Sequence, residues 1–224
     1  MEGVKRLVDT PRALMVAALT LILATALTTA SVIALRSDVE AASAPPLHIA
    51  VVGDYYTVGT QNLTVWPTLM AQRTGWAVTN VSLPGAGYAA DGRGGYAFTY
   101  QVDRAQAAQP DVVLVVGGTS DTSFDPQRVA WGAGDVLGKI ARGGQRALVV
   151  GPTWYETPVA PEVIGVAEIV RSAAETAGVP FLDALDPPWL TTELMRPDLT
   201  GPTDEGQSVL AARIAAWVRG EVHE

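Results

Sequence analysis

Short apolar runs alternate with segments of helical spacing along most of the chain. Apolar, β-branched runs at residues 47–53, 76–83, 111–117, 147–151 and 179–182 predict five strands. Helical spacing predicts helices at residues 65–74, 98–108, 125–141, 161–177 and 204–219. Because strands joined by helices pair in parallel and are covered on both faces, the pattern predicts an α/β domain with a parallel sheet.

A different pattern precedes the first strand. Residues 13–35 are uncharged and mostly apolar. As a helix of ~1.5 Å per residue they would span roughly 35 Å, enough to cross a hydrocarbon core of about 30 Å. Lys5, Arg6 and Arg12 stand before this segment. The positive-inside rule therefore predicts a cytoplasmic N-terminus at 1–12, a transmembrane signal anchor at 13–35, an Ala/Pro-rich linker at 36–46 and an extracytoplasmic domain at 47–224.

A cleaved signal peptide is the alternative to this single-pass anchor in the cell membrane. Small residues at Ala42-Ser43-Ala44 offer a cleavage site, but Pro45 follows directly and disfavours cleavage. The apolar run is also longer than the core of an ordinary signal peptide. Both interpretations place the domain outside the cytoplasm, either anchored or secreted.

Charge and cysteine content narrow the function. Residues 37–224 contain 11 Lys/Arg and 21 Asp/Glu and therefore carry a net charge of −10. An acidic exterior argues against nucleic acid and against docking on anionic lipid headgroups. The chain has no cysteine, which excludes disulfides, thiolate metal sites and a thiol nucleophile. We expect no cofactor and no metal.

Four short blocks carry candidate chemistry, each after a predicted strand or before the last helix. They are Gly53-Asp54-Tyr55-Tyr56-Thr57-Val58-Gly59, Asn80-Val81-Ser82-Leu83-Pro84-Gly85-Ala86, Gly118-Thr119-Ser120-Asp121 and Asp198-Leu199-Thr200-Gly201-Pro202. In this order they resemble the four blocks of the SGNH, or GDSL-type, hydrolases. Any one block is a weak signal, but together they span nearly the whole predicted domain.

The resemblance implies a three-layer α/β/α fold with a five-stranded parallel sheet, similar in outline to flavodoxin. It also implies a site for ester hydrolysis at the carboxyl edge of the sheet. In the family a serine attacks the carbonyl, a histidine acts as base, and an aspartate three residues before it orients the ring. The serine amide, a glycine and an asparagine stabilise the oxyanion.

This chain departs from the family pattern at three positions. Tyr55 stands at the serine position, Gly201 at the histidine position and Ser120 at the asparagine position. The resemblance thus marks Asp54, Tyr55, Asp198 and Gly201 as the catalytic positions. It marks Gly85, Gly118, Ser120 and Asp121 as the oxyanion or binding positions.

No other residue supplies an obvious base. His48 begins the first strand, so it lies roughly 17 Å from the carboxyl edge at ~3.3 Å per residue, and His223 lies in the tail. A phenol stays protonated at neutral pH without a base or cation beside it, and a carboxylate of ordinary pKa is a poor base for a hydroxyl. The sequence therefore predicts that ester hydrolysis by the family's triad is lost, and that the domain is a pseudoenzyme.

Three hypotheses follow. The first is a binding or accessory module of the cell envelope, holding an acylated glycan or a partner protein at the old active-site edge. The second is an active esterase with Tyr55, Ser82 or Ser120 as nucleophile and Asp54 or Asp198 as base. The third is a purely structural domain with Tyr55 filling the pocket.

Individual residues also have two interpretations. Asp54 either caps the turn that follows the first strand or takes part in chemistry, and Asp198 either stabilises its loop or contacts a ligand. Tyr55 and Tyr56 either fill the former pocket or form an aromatic platform for a sugar ring.

Overall fold

A computed structural model of the chain describes residues 45–92 and 94–223, together with Thr29. The predicted cytoplasmic N-terminus, the predicted anchor apart from Thr29, and nearly all of the predicted linker lie outside the described residues, so these assignments stay predictions. Within the described part of the chain, no helix is long and apolar enough to cross a membrane.

Strands and helices alternate as the sequence predicts. The strands are β1 (His48–Gly53), β2 (Ala77–Asn80), β3 (Val112–Val116), β4 (Arg146–Val150) and β5 (Phe181–Leu182). The helices are α1 (Tyr55–Val58), α2 (Trp66–Thr74), α3 (Phe98–Ala107), α4 (Pro126–Arg142), α5 (Pro161–Ala177) and α6 (Asp204–His223). Two single turns of 3₁₀ helix span Thr119–Asp121 and Thr192–Leu194. The short α1 is an addition to the predicted elements, and β2 and β5 are shorter than expected.

The five strands form one parallel sheet in the order β2-β1-β3-β4-β5. β1 lies beside β2 and β3 and is therefore an inner strand. The carboxyl ends of all five strands meet at one edge, and in such sheets ligands bind outside that edge. The predicted parallel sheet is confirmed.

The core has two layers because successive side chains of a strand point to opposite faces. One layer joins the sheet to α3, α4 and α5, and includes Ala50, Val52, Val113, Val115, Phe98, Val136, Ile140 and Val170. The other joins it to α2 and α6, and includes Ile49, Val51, Leu114, Leu148, Trp66, Met70, Leu210 and Ile214. Residues of β1 alternate between these two layers, so the inner strand is buried on both faces and its carboxyl end is fixed in position.

Local signals set the ends of the long helices. Asp125 caps α4 by accepting from the backbone N–H groups of Gln127 and Arg128, and Pro126 occupies the first turn. Gly178 ends α5 in the left-handed conformation at φ 64°. The observed start of α4 and end of α5 agree with the bounds of 125 and 177 that helical spacing predicts.

Candidate functional site

A cleft of about 690 Å³ opens at the carboxyl edge of the sheet. Its lining residues are Tyr55, Tyr56, Gly59, Thr60, Pro84, Thr119, Ser120, Leu199 and Thr200. All four sequence blocks contribute to this lining. The fold thus brings together segments that lie more than a hundred residues apart in the sequence.

The turn after β1 is fixed from both sides by buried glutamines. Gln101 of α3 accepts from the Gly53 N–H at 3.0 Å and donates to the Gly53 carbonyl at 3.1 Å. Gln207 of α6 donates to the Tyr56 carbonyl at 2.9 Å and accepts from the Trp66 N–H at 2.8 Å. Leaving a buried amide group unpaired would destabilise the fold, so these bonds hold the first block in one conformation. Sequence reasoning missed both glutamines, since each lies in the first turn of a helix and outside the four blocks.

Tyr55, at the serine position, forms one wall of the cleft. A Cβ added to Gly85 would lie 3.1 Å from Tyr55 Cε2 and 3.5 Å from its hydroxyl oxygen, so the ring lies against the glycine of the second block. Gly85 has φ +71°, a conformation that favours glycine. Tyr55 remains 37% exposed and the cleft is open beside it. The ring therefore lines the cleft rather than filling it.

Asp54 lies beneath the cleft and joins the first block to the third. It is 2% exposed and caps α1 by accepting from the Tyr56 N–H at 3.1 Å. Its other oxygen accepts from Thr119 Oγ1 at 3.1 Å, and the Gly118 N–H also bonds to the carboxylate. Burial raises the pKa of Asp54 from 3.8 to about 6, although these hydrogen bonds oppose the shift.

Asp121 organises the loop that follows the second block. It is fully buried, and its carboxylate accepts from the backbone N–H groups of Tyr88, Ala89 and Ala90 at 2.8, 2.8 and 2.9 Å. A Cβ on Gly87 would lie 2.4 Å from Asp121 Oδ2, so the loop can approach the carboxylate only because residue 87 is glycine. Burial raises the pKa of Asp121, and the three amide bonds lower it. Asp121 thus contacts backbone and is not among the residues that line the cleft.

The third block turns sharply at two glycines. Gly117 and Gly118 have φ +138° and +126°, and a Cβ on Gly117 would lie 2.7 Å from Asp54 Oδ2. This path leads into the 3₁₀ turn Thr119–Asp121, from which Thr119 and Ser120 reach the cleft. Gly118 therefore serves the backbone geometry. Ser120, a predicted binding residue, lines the cleft.

Asp198 of the last block is exposed and bonded within its own loop. It accepts from the Thr200 N–H at 3.2 Å and from Thr200 Oγ1 at 2.9 Å, and Arg196 Nε lies 3.5 Å away. The Thr200 bonds, with the Arg196 charge, hold the pKa of Asp198 below its ordinary value. A carboxylate with a lowered pKa is a weaker base, so this geometry does not favour Asp198 as a replacement for histidine.

Gly201, at the predicted histidine position, leaves room for a Cβ. A Cβ there would have Thr60 Oγ1 as its nearest neighbour at 3.6 Å, which is ordinary van der Waals contact. Among the described side chains, no histidine lines the cleft. His48 lies at the opposite end of β1, with its Nε2 2.9 Å from Thr79 Oγ1, as the sequence predicts. The side chain of His223 lies outside the described part.

The other nucleophile candidates divide by position. Ser82 donates to the Val51 carbonyl at 3.4 Å and is not a lining residue, whereas Ser120 lines the cleft. Thr119 was not a sequence candidate, yet it lines the cleft and bonds to Asp54. Its position within the third block was the available signal. Thr200 was also missed, although it stands within the last block. Thr60 was missed because it follows the first block, and only the folded loops bring it beside the last one.

Comparisons with known proteins agree with this architecture. A model of the GDSL-like Lipase/Acylhydrolase family matches residues 51–209. GDSL lipase Rv0518 of Mycobacterium tuberculosis (strain ATCC 25618 / H37Rv) is 30% identical over 192 residues, which cover 78% of this chain and 82% of that protein.

Two solved structures are also similar. The psychrotrophic esterase EstA from Pseudoalteromonas sp. has a TM-score of 0.62 at 14% identity, covering 79% of this chain and 99% of that one. The acetyl xylan esterase AlAXEase has a TM-score of 0.62 at 15% identity, covering 77% and 99%. At such identities the similarity concerns the fold.

Proposed function

The chain belongs to the GDSL-like lipase/acylhydrolase family, and from this premise we propose that it is a binding or accessory module whose ester-hydrolysing residues have been replaced. In this proposal the anchor at 13–35 holds the domain on the outer side of the cell membrane. The cleft then binds an acylated glycan or a partner protein of the cell envelope.

One observation carries the proposal: the cleft is open and lined by Tyr55, which stands at the serine position, while Gly201, next to the lining residue Thr200, stands at the histidine position. Triad hydrolysis needs a nucleophile within hydrogen-bond reach of a base that accepts its proton. Tyr55 supplies a phenol where the serine hydroxyl would be, and Gly201 has no side chain that could act as the base. Loss of triad members lowers the rate of ester hydrolysis by orders of magnitude.

The open cleft favours binding over a purely structural role. A structural domain with a filled pocket would bury the Tyr55 ring, but this ring is partly exposed beside a cleft of about 690 Å³. That volume lies within the range of roughly 300–1,000 Å³ that small-molecule sites occupy.

Hydrolysis of a short-chain aryl ester tests the loss of catalysis. The purified full-length chain should show no turnover above buffer. The double variant Tyr55→Ser with Gly201→His should gain turnover, because it restores nucleophile and base, and Tyr55→Ser alone is its matched control. Turnover by the unmodified chain that Tyr55→Phe abolishes would contradict the proposal.

The Thr119–Asp54 contact favours a second candidate, an esterase with a different nucleophile. Thr119 Oγ1 lies 3.1 Å from Asp54 Oδ2, within the reach of a general base. The pKa of Asp54, raised to about 6, makes this carboxylate a stronger base than an ordinary one. In this alternative, turnover by the unmodified chain is removed by Thr119→Val, retained by Thr119→Ser, and insensitive to Tyr55→Phe.

A further inference from the structure

We propose that the cleft binds an uncharged oligosaccharide and that the ring of Tyr55 is the surface on which one sugar unit stacks. This inference rests on the proposed binding function and commits it to one class of ligand. It follows from the chemistry of the lining, the absence of charge there, and the way the Tyr55 ring is supported.

The lining is rich in hydroxyl groups. Six of its nine residues carry one: Tyr55, Tyr56, Thr60, Thr119, Ser120 and Thr200. A hydroxyl can both donate and accept a hydrogen bond, as the hydroxyls of a sugar do. Thr119 and Thr200 already donate to Asp54 and Asp198, so their oxygens remain as acceptors for a ligand. The remaining lining residues are Gly59, Pro84 and Leu199.

No charged residue is among these nine, although residues 37–224 carry a net charge of −10. An anionic ligand would meet the negative field of the domain without a lysine or arginine in the lining to pair with it. A cationic ligand would find no lining carboxylate. The nearby Asp198 is bonded to Thr200, and Arg196 to Gln61 at 2.9 Å, so both charges next to the last block already have partners. The lining therefore favours a neutral, polar ligand.

The aliphatic part of the lining is too small for an acyl chain. It consists of Pro84 and Leu199, and Leu199 is itself 43% exposed. A long acyl chain gains affinity by burial against continuous apolar surface, which these two residues do not provide. A short ester group on a sugar remains compatible with this lining.

Tyr55 has the properties of a stacking platform. The ring lies against Gly85, which has no side chain to displace it, and Tyr55 is a lining residue that stays 37% exposed. An aromatic ring combines an apolar face with a polar hydroxyl, which suits the apolar C–H face and the equatorial hydroxyls of a sugar. The substitution that removes the nucleophile thus supplies a sugar-binding surface.

Calorimetric titration of the full-length chain, in a detergent without a sugar headgroup, tests the inference. The neutral probes are xylotetraose, cellotetraose, chitotetraose and partly acetylated xylotetraose, and the charged probe is tetragalacturonate. We expect saturable binding of at least one neutral probe and at least tenfold weaker binding of the charged one. Tyr55→Ala should weaken the neutral probe at least tenfold, and Tyr55→Phe by much less, since it keeps the ring.

Tyr100→Ala is the matched control, because Tyr100 is 52% exposed on α3 and is not a lining residue. Equal binding of the charged probe, no effect of Tyr55→Ala, or an equal effect of Tyr100→Ala would overturn the inference. Tyr55-dependent binding of a short-chain ester, with no saccharide bound, would overturn the saccharide ligand and leave the proposed binding function intact. Ester turnover by the unmodified chain would overturn the proposed function itself, whatever the saccharide titration shows.

Discussion

The retained aspartates occupy two contrasting regions. Asp54 and Asp121 are buried; Asp54 bonds to backbone N–H groups of the first and third blocks, and Asp121 to those of the loop that follows the second block. Asp198 is exposed and bonds within the last block, to Thr200 two residues away. In the first region a carboxylate connects separate segments of the chain, and in the second it serves only its own loop.

This difference explains which parts of the family pattern persist. Residues that hold backbone have been kept, and with them the fold, since removing one would leave buried amides unpaired. Residues that would touch the reacting ester have changed, because no buried group depends on them. The backbone that shapes the cleft therefore does not depend on the serine and histidine of the family pattern. Substitutions in the two regions test this comparison.

Asp121→Ala should have the largest effect. It leaves the N–H groups of Tyr88, Ala89 and Ala90 without their acceptor in a buried loop. We expect a loss of about 3–5 kcal/mol in the free energy of unfolding, since each buried unpaired group costs roughly 1–3 kcal/mol. Urea unfolding measures it, and Asp121→Asn, which keeps one oxygen, should lose less. A loss below about 1 kcal/mol for Asp121→Ala would break the comparison.

Asp54 should make stability fall as pH rises. Its pKa is about 6 in the folded chain against an ordinary 3.8, so between these values the folded state keeps a proton that the unfolded state has lost. Stability is therefore highest below the ordinary pKa, and it decreases until pH exceeds the folded pKa. At ~1.4 kcal/mol per pKa unit the change is about 3 kcal/mol.

Asp121 also has a raised pKa and contributes to the pH dependence of stability. The difference in unfolding free energy between the unmodified chain and Asp54→Asn isolates the contribution of Asp54. Urea unfolding at several pH values should show that the unfolding free energy of the variant rises relative to that of the unmodified chain as pH rises from ~4 to ~7. The lowered pKa of Asp198 has the opposite sign, since its stabilisation appears above the ordinary pKa. Between pH ~4 and ~7 the stability difference for Asp198→Asn should therefore stay constant, because the stabilisation from Asp198 is lost only below the ordinary pKa. A constant difference for Asp54→Asn would contradict the buried, proton-binding carboxylate.

Alanine substitutions at Gly85 and Gly201 should have smaller effects on stability, and the two should differ from each other. Gly85→Ala places a Cβ at φ +71° and 3.1 Å from the Tyr55 ring, and should cost about 1–2 kcal/mol in unfolding free energy. Gly201→Ala places its Cβ 3.6 Å from Thr60 and should cost within about 0.5 kcal/mol. Thermal unfolding of the two variants checks this. Equal costs would mean that the histidine position is as constrained as the second block.

The order of strands and helices could be predicted from the sequence because apolar spacing and capping residues such as Asp125 act locally. The four blocks also indicated which loops meet at the cleft. The contacts within that site could not be predicted. Asp121 bonds to amides 31 to 33 residues away, and Gln207 to a carbonyl 151 residues away, so both depend on tertiary packing. Thr60, which lies outside the four blocks, lines the cleft for the same reason.

Asp198→Ala should have the smallest effect, with no measurable change in the unfolding midpoint, because the exposed carboxylate bonds only within its loop. Thr200→Val is the matched control, since it removes the hydroxyl partner of the same turn. In the Tyr55→Ser, Gly201→His background the expectation reverses: there Asp198 has a histidine to orient, and Asp198→Ala should reduce the gained ester turnover roughly tenfold or more. Loss of stability in the native background, or no loss of turnover in the double variant, would show that Asp198 serves the fold as Asp54 and Asp121 do.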